Sequence, residues 1–583
     1  MRKAWTLPLF ALQDEDAPLV GGKSMSLARL HQHGLPVPDG LCITIQAYND
    51  FLDGSGLRER MHMELGRKSF EHMRWEEMWD AALRIRNMFL TTPMPDNLEQ
   101  ALVRELEQTF GQQPTVVRSS APGEDAGQTS FAGLHESVVN ARGVKALVDS
   151  IRTVWASLFS DAALLYRQEL GLDVAFSSMA VVVQYLMLGQ VSGVAFTRSP
   201  EDEEAVAVEA VYGLNKGLVD GAVEPDRWVV NRRTRSVLST GAAQREQHIV
   251  PTQTGTALRP LDEKRRNRPP LDQDQVLTVV DTALQAEEFF ASAQDMEWTL
   301  DLDRFYILQS RPITTGRDRE EDQRGWYLSL RRSVDNLKAL RVRIEDEILP
   351  GMDKDALDMA EHNLEVLSDS DLAQEIERRH ARHEYWNQVY WDECIPFAHG
   401  ARLFGQMYND ALKPADPFEF VRLLGSSGML STERNRMLRQ MAARVAEHPA
   451  LLQALRDERA VLGVDADFDA LLADFFDQFG DLFCHQASCT QGREDVLDLV
   501  GKMAGQERAK NTSEGDGLQS LPSVADMQEG FLQAMGQSRR QEAEDLLDLA
   551  RASYRLRDDD NIHLGRVEAE VHRAVAKARK RIK

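Results

Sequence analysis

The stretch Asp295-Met-Glu-Trp-Thr-Leu-Asp-Leu-Asp-Arg-Phe-Tyr-Ile-Leu-Gln-Ser-Arg-Pro-Ile-Thr314 constrains this chain more than any other. It predicts two short strands, over 296–300 and 305–310, joined by a polar turn that includes Asp301 and Asp303. Side chains on a strand alternate between faces, and a tight hairpin fixes which residues lie across from each other. Glu297 then stands nearly opposite Gln309, with Arg311 two residues further along on the same face. A carboxylate, an amide oxygen and a guanidinium so placed can hold a hard cation beside a phosphate chain. Mg²⁺ prefers oxygen ligands and usually keeps substrate phosphates in its shell. An ordinary surface hairpin with a chance polar face would carry the same residues.

Two earlier stretches suit the same chemistry. In Pro18-Leu-Val-Gly-Gly-Lys-Ser-Met-Ser-Leu-Ala-Arg-Leu the paired glycines allow a tight turn into a helix whose first N–H groups are free. Lys23 sits there as a point charge within reach of a phosphate. The spacing is not that of a P-loop, and a turn with an exposed lysine is the plain alternative. Thr115-Val-Val-Arg-Ser-Ser reads as a strand ending in Arg118 and two hydroxyls, followed by a loop of small residues over 121–137. Such a loop can fold over a polyphosphate with its backbone N–H groups while Arg118 supplies a fork of donors. Its alternative is a surface loop after an edge strand.

The 583 residues suggest three or four domains, and 43% hydrophobic with 28% charged residues is ordinary for a globular chain. A formal charge of -25 argues against nucleic acid or an anionic membrane as partner of the whole chain. No apolar run suits a secretory leader or a membrane span, and four cysteines in so long a chain are no disulfide framework, so a cytoplasmic location is expected. Up to about residue 315, strands alternate with helices, among them an amphipathic helix over 274–292, with Gly213–Gly221 as a second glycine-bearing loop and 251–273 as an exposed connection. Residues 316–325 are a charged linker. Beyond 326 helical periodicity dominates, with helices expected over 334–349, 364–387, 431–447, 468–479, 527–554 and 567–583 and a mobile loop over 504–523. The cationic C-terminus, Lys577 to Lys583, suits the negative end of a helix dipole.

Val20-Gly-Gly-Lys-Ser-Met-Ser-Leu, Val117-Arg-Ser-Ser-Ala, Ser130-Phe-Ala-Gly and Gln309-Ser-Arg-Pro-Ile-Thr occur in the order found in a known family. Residues 15–315 resemble the nucleotide-binding module of phosphoenolpyruvate synthases and pyruvate phosphate dikinases, and of the similar rifampicin phosphotransferases and phenol-phosphorylating synthases. The resemblance implies an α/β ATP-grasp-type fold, with an N-terminal lobe over 1–198 and a C-terminal lobe over 199–315 clamping ATP and Mg²⁺. A mainly α-helical domain, 326–583, would follow to bind the acceptor or a partner. On this reading Lys23 and Arg118 hold the ATP phosphates, and Ser130, Phe131, Ala132 and Gly133 form the loop that closes over them. Gln184, Tyr185, Leu186 and Met187 line the adenine pocket, and Glu209 touches the nucleotide. Glu297 and Gln309 bind Mg²⁺, and Arg311 clamps the transferring phosphates. One departure is local: where the family usually shows Gly-Leu-Gly-Glu, this chain has Gly213-Leu-Asn-Lys216, which reverses a charge beside the nucleotide.

The resemblance also implies a histidine that takes the β-phosphate of ATP on a separate swivelling domain, in a Gly-rich segment ending Ser-His. None of the fourteen histidines lies in such a setting. The expectation is therefore a dikinase component whose phosphohistidine domain is supplied by a partner chain, acting on a small-molecule acceptor such as pyruvate or a hydroxyl compound. The rivals are a nucleotide-binding regulatory or scaffold protein, and a ligase forming an acyl-phosphate. In the helical half, Tyr390, Trp391, Phe397, Phe404 and Tyr408 beside Arg402 are an aromatic pocket or, at helical spacing, core. His399 touches a substrate or caps a turn. Cys484, His485 and Cys489 are a partial metal set short of zinc's usual four ligands. The segment Arg557–Arg566 resembles the one that precedes the phosphohistidine domain.

Overall fold

A computed structural model describes residues 4–68, 70, 73, 75–122, 134–169, 177–199, 202–253, 255–301, 304–313, 334–425, 429–456, 461–480, 489–510 and 523–582. The chain divides into two compact units, Met1–Tyr327 and Leu328–Lys583.

The first unit is built on two antiparallel sheets. Strands β1 (Thr6–Pro8), β2 (Gly40–Ile43), β3 (Thr115–Ser120), β4 (Ser137–Ala141) and β5 (Ala180–Tyr185) form one, in the order β1-β2-β5-β3-β4. Strands β6 (Val191–Phe196), β7 (Ala205–Tyr212), β8 (Asp226–Asn231), β9 (Val237–Gly241), β12 (Gln294–Asp301) and β13 (Arg304–Pro312) form the other, in the order β13-β12-β6-β7-β8-β9. The chain changes sheet between Tyr185 and Val191, ahead of the 198/199 division expected between the lobes, because β6 pairs with β7 and β12 rather than with β5. β5 is the apolar strand the sequence suggests: Val181, Val182 and Val183 are each at most 1% exposed, packed from both faces.

Each sheet lays one face against helices whose apolar residues recur at helical spacing. Leu147, Ile151, Val154 and Trp155 of the helix Val144–Ala156 are fully buried in the core beneath the five-stranded sheet, with Leu98, Leu102 and Leu106 of Asp96–Thr109. Val276, Val279, Val280, Ala283 and Ala286 of the helix Gln273–Phe290 cover one face of the six-stranded sheet. That helix opens with a capping box between Asp272 and Gln275. Two expectations of loop are corrected. Residues 251–273 contribute β11 (Thr256–Pro260), which pairs with β10 (Gln247–Pro251), and a short helix Glu263–Arg266. The glycine-bearing stretch after β7 holds a helical turn, Lys216–Val219.

The first helix, α1 (Ala17–Gln32), ties the sheets together. Ser24 donates from N–H and Oγ to Ser120 Oγ at the end of β3, each at 3.0 Å, and Ser26 donates to the Ser310 carbonyl on β13 at 2.9 Å. α1 is interrupted at Gly21, with φ 74° and ψ 177°. A Cβ at Gly21 would lie 2.0 Å from the Ser120 carbonyl oxygen, so only glycine permits this approach. The helix proper therefore begins at Gly22 and Lys23, beside β3.

The second unit is helical throughout its described residues. Its axis is Arg540–Ile582, a 43-residue helix. Two helices were expected, over 527–554 and 567–583. The break instead falls at Gly536 (φ 71°), after Val524–Met535, and the acidic run 558–560 is helical. Tertiary bonds outweigh its poor propensity: Asp559 accepts the Leu430 N–H at 3.0 Å, and His563 and Arg566 both bond Asp353 Oδ1, at 2.6 and 2.9 Å. Arg557–Arg566 is thus the middle of a helix. Residues 504–510, expected in a loop, end the helix Cys489–Lys510. The first expected helix runs on through a π-helical turn, Ile344–Ile348, into Leu349–Glu361. Phe397, Phe404 and Tyr408 are at most 1% exposed, and Phe404 and Tyr408 pack with Phe420 and Phe531, so they are core, while Trp391 lies at the surface. His399 and Arg402 are buried in the helix His399–Leu412. Lys577 pairs with Glu365, and Arg581 donates to the Leu367 carbonyl at 2.7 Å, so the C-terminal cations also tether their helix.

Candidate nucleotide site

The predicted hairpin forms: β12 and β13 pair with Glu297 opposite Gln309 and Asp295 opposite Arg311. The strands run longer than 296–300 and 305–310, and a bulge beside Glu297 puts Trp298 opposite Ile307. The extra residue, Leu308, turns its carbonyl out of the ladder. One cross-strand row runs Gln309, Glu297, Val194, Glu209 and Arg227. Directly opposed residues share a face, so Gln309, Glu297 and Glu209 point together to the side opposite the covering helix. Asp295 and Arg311 lie two residues away on that face.

Arg118 reaches this row from the other sheet. It donates to Glu297 Oε2 at 3.0 Å and to the Leu308 carbonyl at 2.8 Å. Arg118 and Glu297 are each less than one-fifth exposed, so their pairing is screened less than a surface ion pair. Arg311 donates twice to Asp295 Oδ2, at 2.9 and 2.7 Å. Burial pushes the Asp295 carboxyl above its ordinary range, and the charge of Glu297 adds to this, although Arg311 opposes both. Asp295 was not singled out from the sequence. Its signal is its position, two residues before Glu297 on a strand.

Lys23 Nζ donates to Ser119 Oγ at 3.2 Å, next to Arg118. Lys23 and Arg118 thus come together at the junction of α1 and β3, beside the row. Residues 130–133, expected to close over phosphates, lie outside the described residues, as do the turn residue Asp303 and residues 484 and 485; the side chain of Cys489 is likewise outside them.

From this row a narrow cleft extends between the sheets, lined by Val116, Arg118, Gln184 to Met187, Asn215, Lys216 and Leu308 among others. The four residues 184–187 expected there do line it. Gln184, however, is 2% exposed and donates to the Pro38 carbonyl at 2.8 Å, so its amide fastens β5 to residues 34–39. The N–H groups of Tyr185 and Leu186 are bonded to the Asp39 and Pro114 carbonyls. Glu209 lies 4.0 Å from Arg227, three strands from β13 along the row. Lys216 pairs with Asp220 at 2.5 Å. Asn215 donates to Glu297 Oε2 at 3.2 Å. The sequence marked its segment, Gly213–Lys216, for the charge of Lys216 and not for Asn215.

The donor set fits a hard cation that keeps phosphate ligands. Glu297 and Gln309 offer oxygen side by side, and no group of three or more His, Cys, Asp or Glu able to hold a metal occurs among the described residues. The site therefore offers too few acidic ligands for a closed cage, and Mg²⁺ does not ask for one. The apolar lining from Val116, Leu186, Met187, Leu214 and Leu308 fits the flat faces of a purine. No helix among the described residues is long and apolar enough to cross a membrane.

The family model described as "Pyruvate phosphate dikinase, AMP/ATP-binding domain" matches residues 17–327. A probable phosphoenolpyruvate synthase of Methanocaldococcus jannaschii is 31% identical over 320 residues, covering 54% of this chain and 26% of that protein. A rifampicin phosphotransferase of a Streptomyces species is 35% identical over 328 residues, covering 55% and 38%. The phosphoenolpyruvate synthase of Aeropyrum pernix is 32% identical, covering 55% and 44%. The chain thus spans less than half the length of these relatives.

Proposed function

This chain belongs to the pyruvate phosphate dikinase AMP/ATP-binding family, and from that premise we propose that it is an ATP- and Mg²⁺-dependent phosphotransferase component. Its first unit is an ATP-grasp-type clamp whose two sheets hold the nucleotide between them. The observation that carries the proposal is the meeting of Arg118 from one sheet with Glu297 and the Leu308 carbonyl from the other, at the phosphate end of an apolar cleft. The base enters between Val116, Leu186, Met187 and Leu308, and the phosphates extend towards Lys23 and Arg118.

Glu297 and Gln309 would hold Mg²⁺, which when bound would supply charge neutralisation for the phosphates. Phosphoryl transfer leaves little covalent work to protein side chains, which act by positioning and electrostatics. Arg118 leaves Glu297 to hold phosphate oxygens with its planar fork, and Lys23 adds a point charge. Arg311 reaches the transferring group from the hairpin, with Asp295 fixing its direction. The bond between the α- and β-phosphates breaks, AMP departs, and the pyrophosphoryl group passes to a histidine nitrogen of a phosphohistidine domain on a partner chain; water then takes the γ-phosphate as inorganic phosphate, leaving the β-phosphate on that histidine. That histidine then phosphorylates a small molecule such as pyruvate or a hydroxyl compound, bound with help from the helical unit.

Product analysis tests this. Incubating the chain with ATP, Mg²⁺ and the partner should yield AMP and an acid-labile phosphohistidine on the partner. Release of ADP would instead mark a ligase forming an acyl-phosphate. Tight nucleotide binding with no turnover in any mixture would mark a regulatory protein.

A further inference from the structure

Asn215 is 6% exposed, lines the cleft, and donates through Nδ2 to Glu297 Oε2, while its Oδ1 is buried with no hydrogen-bond partner. The amide orientation follows from the carboxylate: Nδ2 must face Glu297, since Oδ1 there would set acceptor against acceptor. The opposite edge is then left with an orphaned oxygen, which is costly in a buried setting. A half-turn of the amide carries Oδ1 to the Glu297 side, an arrangement that is favourable only if a cation lies between the two oxygens. Carboxylate and amide oxygens are what a hard divalent cation takes.

We propose that Asn215 is a third side-chain oxygen ligand of the cation, completing the set of Glu297 and Gln309. This rests on the nucleotide and Mg²⁺ reading of the cleft. Glu297 Oε2 accepts from both Arg118 and Asn215, so two donors hold the position a cation takes. When Arg118 moves to the phosphates, the Asn215 amide turns and presents Oδ1 to the cation. The neighbouring Lys216 is drawn towards Asp220 on its own helical turn.

The test uses Mn²⁺ as the probe, with the full chain and a non-hydrolysable ATP analogue, reading bound Mn²⁺ by electron paramagnetic resonance and confirming folding by circular dichroism. Asn215→Leu keeps the shape and removes the oxygen, and Asn215→Asp presents a charged oxygen in either rotation. Mn²⁺ affinity in the nucleotide complex should fall by about tenfold or more in Asn215→Leu and rise above wild type in Asn215→Asp. Affinities equal to wild type in both variants would overturn the proposal. So would a similar loss in both, which would make Asn215 a donor that merely orients Glu297. If wild type binds the analogue and Mn²⁺ but Asn215→Leu is unaffected, only this inference fails. If wild type binds neither, the reading of the cleft fails with it.

Discussion

At the scale of single residues, the site is held by contacts that tolerate little substitution. Gly21 is one: a Cβ would sit 2.0 Å from the Ser120 carbonyl oxygen, and φ is +74°. Gly21→Ala should destabilise the first unit by about 3 kcal/mol in urea unfolding, through steric overlap and left-handed backbone strain together. Glu297 is another. Glu297→Gln keeps the shape and removes the charge that pairs with Arg118 and that the proposed cation would need. It should lower Mg²⁺-dependent nucleotide affinity by at least tenfold with little change in far-ultraviolet circular dichroism; unchanged calorimetric binding would remove the hairpin from the site. Gln309 was legible from register alone, since a hairpin leaves few choices for the residue opposite Glu297. Asp295 and Asn215 were not. Their roles come from partners, Arg311 and Glu297, whose placement depends on the pairing of whole strands.

At the scale of elements, the helical unit shows how tertiary bonds decide helix continuity. Arg379 is fully buried and donates to Glu375 Oε1 at 2.8 Å, to Glu570 Oε2 at 2.9 Å and to the Met359 carbonyl. It joins the helices Leu349–Glu361, Asp369–Val389 and Arg540–Ile582 at one point. Arg379→Met should cost about 3–5 kcal/mol by leaving the buried Glu570 carboxylate without this partner, measured by denaturant unfolding. Glu375 has a pH signature. Hydrogen bonds from Arg378 and Arg379, with Arg378 the larger influence, hold its carboxyl down to about 2 against burial, from an ordinary 4.5. A depressed folded-state pKa contributes stability that is complete above the unfolded value and is lost as pH falls through the folded one. The helical unit should therefore weaken between pH 4.5 and 2, and Glu375→Gln should flatten that part of its thermal-stability profile. The sequence divided Arg540–Ile582 into two helices because its acidic middle has poor intrinsic propensity. What keeps the helix whole is Asp353 and the Leu430 N–H, groups remote in sequence that no local pattern reveals.

At the scale of the whole molecule, two compact units predict two calorimetric transitions. A nucleotide with Mg²⁺ stabilises whatever it binds by about 2.7 kcal/mol at a hundredfold excess over Kd. Only the transition of residues 1–327 should move upward on adding the ATP analogue and Mg²⁺. An equal upward shift of both transitions would place nucleotide contacts in the helical unit as well.

What the sequence determined by itself was the local geometry: the β12–β13 register, β5 as a buried apolar strand, the turn into α1 and the motif order that marks the family. Each rests on backbone periodicity or on glycine, properties of short segments. What the tertiary structure decided was which side chains meet. Arg118 and Glu297 are 179 residues apart, and Asn215 and Glu297 82 apart. Such pairs form only after two sheets pack across a cleft, and the pattern of either segment alone would be the same without its partner. The hairpin shows both: the sequence determined the face that carries Glu297, Gln309 and Arg311, and packing of the two sheets decided that Arg118 and Asn215 converge on it.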